Sequence, residues 1–282
     1  MRQGQAVRVS VSVLSLRARP VLLRLRRGAG EAALVLTVYV TYSLTRLLAD
    51  GSFAPAVARA KELLSIERVL GLDLEAWLNG WFVSSPGVGL AGSYYYATAH
   101  YLVTGAVLVW LWRRGPAAYV PGRRALLMAT GGALVLYLLL PMAPPRLIDD
   151  YVDVLRLSAA HGWWGGDASA PRGLGGYTNE LAAFPSMHAG WALWVAWAVH
   201  REVRRRWVRA LAWTHSGLTA LVIIGTGNHW VLDAVAGWLV VAAALAITAT
   251  LPAGPERGAR PPGRWWSTSA AGLPGGTTRS AR

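Results

Sequence analysis

The sequence predicts an all-α, polytopic membrane protein: six transmembrane helices in a bundle, with an outer amphipathic helical segment. Three observations lead there. Of 282 residues, 54% are hydrophobic and only 15% charged, too apolar a balance for an ordinary soluble chain of this length. Six uncharged or nearly uncharged runs approach the 20 or so residues that cross about 30 Å of hydrocarbon at 1.5 Å per residue. The arginines also alternate between successive loops, as an even number of spans requires.

The elements follow in chain order. Residues 1–30 form a basic arm; they mix apolar and Arg positions without an uninterrupted apolar core and small-residue cleavage site, so they do not read as a cleaved signal peptide. The membrane domain covers 31–251, with spans at about 32–49, 90–112, 125–141, 184–200, 208–226 and 229–251. Between the first two spans, Val57, Leu63, Leu64, Ile66, Val69, Leu70, Leu74, Trp77 and Leu78 fall at helical spacing among charges. That pattern predicts an amphipathic helical segment over 55–79 with a break near Gly71. Residues 252–282, rich in Gly, Pro, Ser, Thr and Arg, read as a disordered tail. Trp81, Trp110, Trp112, Trp207 and Trp230 near span edges suit an interfacial belt. Trp191, Trp194 and Trp197, three apart, read as a packing or lipid-facing stripe, and Trp163 and Trp164 as residues lying on the membrane.

The net charge of +14 has its explanation in topology, not in nucleic-acid binding. Seven arginines sit in the N-terminal arm, four in 113–124, five in 201–209 and five in the tail, together 21 of the 28 basic residues. The intervening loops, 50–89 and 142–183, each carry three basic and five acidic residues. By the positive-inside rule both termini are cytoplasmic and the acidic loops face outward. The excess of Arg over the single Lys61 fits a GC-rich bacterial genome, hence a bacterial plasma membrane.

Two polar islands stand where hydrophobic spans begin: Phe184-Pro185-Ser186-Met187-His188 and Gly227-Asn228-His229-Trp230-Val231-Leu232-Asp233. Ionisable groups at such positions are costly, which points to chemistry there. His229 and Asp233 are four apart, so one helix face brings a carboxylate to one ring nitrogen of an imidazole and leaves the other free. The predicted topology puts both islands, together with Arg146, on the outer side. An Arg fork and a Ser hydroxyl suit phosphate oxygens, and Pro185 is expected in the first turn of a helix whose N-terminus faces an anion. Two imidazoles and a carboxylate then divide attack, protonation and orientation among themselves. A membrane metalloenzyme and a non-catalytic scaffold or transporter component also remain open, although no His-Glu-x-x-His helix is present.

At these residues the chain resembles the phosphatidic acid phosphatase type 2 superfamily, in its inositolphosphorylceramide-synthase-like branch. Pro185-Ser186-Met187-His188 resembles the second motif, Pro-Ser-Gly-His, and His229 with Asp233 the third, which ends in His, three residues, Asp. Pro144-Pro145-Arg146 resembles the first motif's Arg in this branch, and the similarity extends over about 55–250, including Ile66-Glu67-Arg68-Val69-Leu70-Gly71-Leu72-Asp73. The resemblance implies a phosphatase or phosphotransferase acting on a phospholipid or isoprenyl (di)phosphate. It implies His229 as nucleophile forming a phosphohistidine, Asp233 as its orienting group, His188 as general acid, and Ser186 and Arg146 as phosphate ligands, with no metal or other cofactor. Two of the superfamily's cations are replaced, by Leu139 and Ile223, so oxyanion contacts must come partly from backbone or from residues such as Asn228.

His100, about ten residues into the second span, either bonds a neighbouring helix or supports the catalytic pair or the phosphate. Asp149, Asp150 and Asp153 read as a solvated loop, or as ligands of a polyol acceptor or a cation, and His161, His200 and His215 as non-catalytic. The expected partners are a lipid phosphate substrate and membrane lipids. Oligomeric state, substrate identity and the choice between hydrolysis and transfer are not written in the sequence.

Overall fold

The computed structural model describes residues 53–148, 150–164 and 180–252, with isolated positions between 29 and 40. The expected arm, first span and tail, and Asp149, lie outside these residues apart from those isolated positions and Pro252. Seven main helices are described: α1 (Phe53–Leu70), α2 (Glu75–Ser84), α3 (Pro86–Arg114), α4 (Pro116–Leu139), α5 (Met187–Glu202), α6 (Arg206–Gly225) and α7 (Val231–Thr250). Among the described residues there are no strands, only one bridge between Met142 and Ala182. The all-α expectation therefore holds.

By length and composition α4, α6 and α7 are able to cross a membrane. The α5 helix has 16 residues, about 24 Å of rise, and α3 has 29. The break expected near Gly71 is there: α1 stops at Leu70 and Gly71 takes φ +67°, the left-handed conformation that glycine adopts without strain.

The amphipathic reading of this segment needs correction in its orientation. Ala56, Ala60, Leu63, Leu64 and Glu67 form the buried face of α1, whereas Ile66, Val69, Leu70, Leu74 and Trp77 are exposed. The reason lies in what the inner face meets. It packs on the polar start of α7, where a carboxylate finds N–H donors and a branched alkyl chain finds none.

The bundle core lies between α3, α4, α5 and α7, around Leu111, Leu126, Trp194, Val195 and Val241. Trp194 is fully buried and donates its Nε1–H to the carbonyl of Gly122 at 2.8 Å, and Trp191 donates to Thr130 Oγ1. The tryptophan stripe thus packs within the protein. Trp230, expected in an interfacial belt, is instead fully buried and bonded to the Ala143 carbonyl. Trp164 is likewise buried and donates to the Leu155 carbonyl, leaving Trp163 the exposed member of its pair. An indole N–H with a carbonyl in reach is satisfied inside, which removes its reason to stay at an interface.

Backbone contacts draw the loops to one end of the bundle. Met142 donates to the Leu181 carbonyl and Ala183 to that of Met142, joining the segment after α4 to the one before α5. Arg146 N–H donates to the carbonyl of Gly227 at 2.8 Å. Buried Asn79 of α2 brackets the loop onto the end of α6, donating to the carbonyls of Val152 and Gly225 and accepting from Val152 N–H.

The crossing of α5 and α7 is unusually close. A Cβ at Gly237 would stand 2.0 Å from the Ser186 carbonyl oxygen, and one at Gly190 would stand 3.0 Å from that of Gly237. Gly237→Ala is therefore expected to lower stability by about 1–3 kcal/mol through forced separation of the helices. Gly80→Ala, where a Cβ meets nothing within 4 Å, is expected to be neutral or stabilising by up to about 1 kcal/mol. Thermal unfolding of the detergent-purified variants measures both.

Candidate active site

Residues 223–233 make the most constrained turn in the described chain. Helix α6 ends with Thr226, then Gly227 at φ +75°. Gly227 N–H bonds the Ile224 carbonyl and Asn228 N–H the Ile223 carbonyl. This is a Schellman stop, and it requires a residue tolerant of positive φ. A Cβ at Gly227 would also stand 2.9 Å from the Val152 carbonyl oxygen. His229 N–H shares the Ile223 carbonyl. The position where the superfamily's cation is missing thus acts through its backbone, and its isoleucine side chain is buried in the core.

His229 is buried and its ring is tightly held. Nδ1 lies 3.0 Å from the Ala183 carbonyl and 3.4 Å from Asp233 Oδ2. Both partners are acceptors, so the ring proton sits on Nδ1 and the lone pair on Nε2. Spacing alone pointed to Asp233, and the structure confirms that contact. The closer Ala183 carbonyl was invisible to it, because it arrives from a segment 46 residues away. Asp233 is fully buried, and its Oδ2 also accepts the Trp230 N–H at 2.9 Å, while Oδ1 has no hydrogen-bond partner.

His188 sits one residue inside α5. Its ring centroid is 5.5 Å from that of His229, 4.0 Å from His100, and 4.5 Å from Tyr96 in a stacked arrangement. His100 is thus brought beside His188. Because α3 begins at Pro86 and overshoots α5 by several turns, His100 lies level with the start of α5. It bonds no neighbouring helix through Nδ1, which donates to the Tyr96 carbonyl of its own helix at 3.0 Å.

Ser186 caps α5: its Oγ accepts Ala189 N–H at 3.4 Å, and its own N–H donates to the Asp233 carbonyl at 2.8 Å. Pro185, expected in the first helical turn, precedes this cap. A serine can satisfy the free N–H groups and a proline cannot, so the helix starts after Ser186. Sequence placed the hydroxyl at the helix start correctly but left out its structural duty.

Arg146 is almost wholly buried and ringed by oxygen. Its Nε donates to Asn228 Oδ1 at 3.0 Å, and its Nη1 lies 3.2 Å from Glu180 Oε1 and 3.9 Å from Asp153 Oδ2. Asn228, expected as an oxyanion ligand, turns Oδ1 to Arg146 and Nδ2 to Thr226. It therefore holds the arginine. Asp153 caps a single helical turn through Arg156 N–H, a more ordered role than a solvated loop. Glu180 had no signal in the sequence, since its partner is 34 residues away. His215 bonds Tyr95 through Nδ1 at 2.6 Å, and His161 and His200 take part in other contacts, His200 accepting from Trp213.

Among the described residues no group of three or more His, Asp or Glu is arranged to hold a metal ion. The arrangement instead offers a held imidazole with an available Nε2, a second imidazole within a ring's breadth, a capped helix start and a buried guanidinium. All seven predicted site residues belong to this one end of the bundle, the His188, His229 and Asp233 group lying on α5 and the start of α7.

A model of the PAP2 superfamily matches residues 61–247, more than half of the chain, taking in α2 to α6 whole and every one of these residues. Neither the curated proteins nor the solved structures contain a significant match. Three helices long and apolar enough to cross a membrane accompany that match, and the chain belongs to the PAP2 superfamily, as an integral membrane protein of phosphatase or phosphotransferase type.

Proposed function

We propose that the protein is a lipid phosphatase or phosphotransferase that works through a phosphohistidine, with His229 as nucleophile, at the outer face of a bacterial plasma membrane. The observation that carries this reading is the fixing of His229 Nδ1 by two acceptors, the Ala183 carbonyl and Asp233. That arrangement holds the reactive tautomer and supports the positive charge that grows as Nε2 attacks. The arginine pattern along the sequence supports the outward placement and cytoplasmic termini. The motif residues support the inositolphosphorylceramide-synthase-like branch.

The steps balance on the residues present. Nε2 of His229 forms a bond to phosphorus as the bond to the leaving oxygen breaks, and protonated His188 supplies that oxygen with a proton. Neutral His188 then takes a proton from water or an alcohol, whose oxygen attacks phosphorus and releases His229. Arg146 neutralises phosphate charge. In this structure its anionic partner is Glu180, whose side chain is 36% exposed and is free to give way to a substrate phosphate. The Ser186 hydroxyl donates to a phosphate oxygen while keeping its acceptor role toward Ala189. His100, against the His188 ring, supports the acid. The substrate class is a phospholipid or isoprenyl (di)phosphate.

Purified protein incubated with a panel of phospholipids and isoprenyl diphosphates, with and without polyol acceptors, tests this by mass analysis of products. His229→Ala is expected to abolish turnover with folding intact, and acid-labile phosphate to accumulate on the wild type but not on this variant. Unchanged turnover in His229→Ala overturns the mechanism. His188→Ala is expected to slow turnover by about 10²–10⁴-fold. Arg146→Lys keeps the charge but loses the Nε donor and is expected to raise KM by about tenfold or more.

A further inference from the structure

Two buried carboxyl groups take no part in the chemistry above. Glu67 of α1 and Glu75 of α2 are both fully buried. Glu67 Oε1 accepts the Leu232 N–H at 2.7 Å and Glu75 Oε1 accepts the Val231 N–H at 2.8 Å. With Asp233 taking the Trp230 N–H, three carboxyl groups satisfy three successive donors at the start of α7. These are the donors a helix start leaves unpaired, and the tryptophan at the cap position has no acceptor to offer them. The donors follow His229 directly.

The remaining oxygens decide the protonation. Oε2 of Glu67 and Oε2 of Glu75 are both buried and lack a partner as long as both groups are carboxylates. The two carboxyl groups are neighbours, since they accept from the adjacent N–H groups of Val231 and Leu232. A single proton turns one orphan oxygen into a donor and the other into its acceptor, removing both deficits and one of two adjacent like charges.

Resting on the reading of His229 as nucleophile, we infer that Glu67 and Glu75 are positioning residues that share one proton and clamp the backbone of the His229 turn. Burial, then the neighbouring carboxylates Glu75 and Asp233, work against ionisation of Glu67, pushing it up to about 9 despite the Leu232 hydrogen bond. Glu75 is also raised, by burial first. Tyr151 also interacts with the pair, its phenol pushed up to about 12 by burial and by Glu75, with Arg68 and Asp150 acting on that phenol, and Asp233 in turn contacts His229.

The sign follows from proton counting. The unfolded chain releases this proton near 4.5 and the folded one near 9, so the folded state binds more protons between those values. Stability therefore falls as pH rises across that window and flattens above it.

The experiment compares wild type with Glu67→Gln, Glu67→Leu and Glu67→Asp as full-length protein in detergent. Thermal unfolding is measured from pH 5 to 10, and turnover of phosphatidate and of an isoprenyl diphosphate in mixed micelles at pH 7. Glu67→Gln keeps the acceptor for Leu232 and gives Glu75 a permanent donor. It is expected to hold kcat within about threefold and to lose the decline in unfolding temperature between pH 5 and 9. Glu67→Leu, and Glu67→Asp if the leucine variant fails to fold, lose the Leu232 contact and are expected to lower kcat at least about tenfold with KM within about twofold, since a small displacement of a nucleophile is costly. A wild-type pH slope retained in Glu67→Gln overturns the shared proton. A kcat equal to wild type in the folded Leu or Asp variant overturns the clamp. Absence of wild-type turnover on both lipids defeats the phosphohistidine reading instead, and the unfolding slopes still decide whether the proton is shared.

Discussion

The start of α7 is the constraint on which the rest of the structure depends. A helix start presents several N–H groups that must find acceptors, and here the cap position is a tryptophan whose indole is committed elsewhere. The acceptors come from three elements: Asp233 from the helix itself, Glu67 from α1 and Glu75 from α2. Meeting that demand fixes where the outer helices lie, and explains why α1 turns glutamate inward and isoleucine and valine outward. It also ties down the backbone that directly follows His229.

A second consequence is that the site is made almost entirely of chain ends. The cap of α5, the Schellman stop of α6, the start of α7 and the segment after α4 meet at one level, and each is tied to another by backbone hydrogen bonds. Side chains at helix ends are ordinarily mobile. Here a carbonyl from residue 183 and one from residue 227 hold the histidine turn and the arginine loop in register, so the side chains of the candidate site are tied to the backbone.

What the sequence made legible followed from local periodicity. The i, i+4 relation of His229 and Asp233, the break at Gly71 and the three helices able to cross a membrane were readable because each depends on residues a few positions apart. The clustering of Arg146, Ser186, His188 and His229 at one end was readable from charge alternation. The Ala183 carbonyl, Glu180 and the capping duty of Glu67 and Glu75 were not, since each joins residues 34 to 165 positions apart and a hydrogen bond of that range leaves no period. The pairing of His100 with His188 was not legible for a related reason. Where α3 begins relative to α5 is set by tertiary packing, and hydropathy is silent on it.

The close crossing of α5 and α7 has a bearing on the chemistry that its packing description does not convey. Gly237 lies one turn beyond Asp233 and Gly190 two residues beyond His188, so their contact joins the helix turns that follow these two side chains. The distance between the helices that carry His188 and Asp233 is thus gauged by two missing methyl groups. Anything that thickens this crossing parts these two side chains together with their helices, so the same two glycines that set the packing also set the spacing of the candidate site.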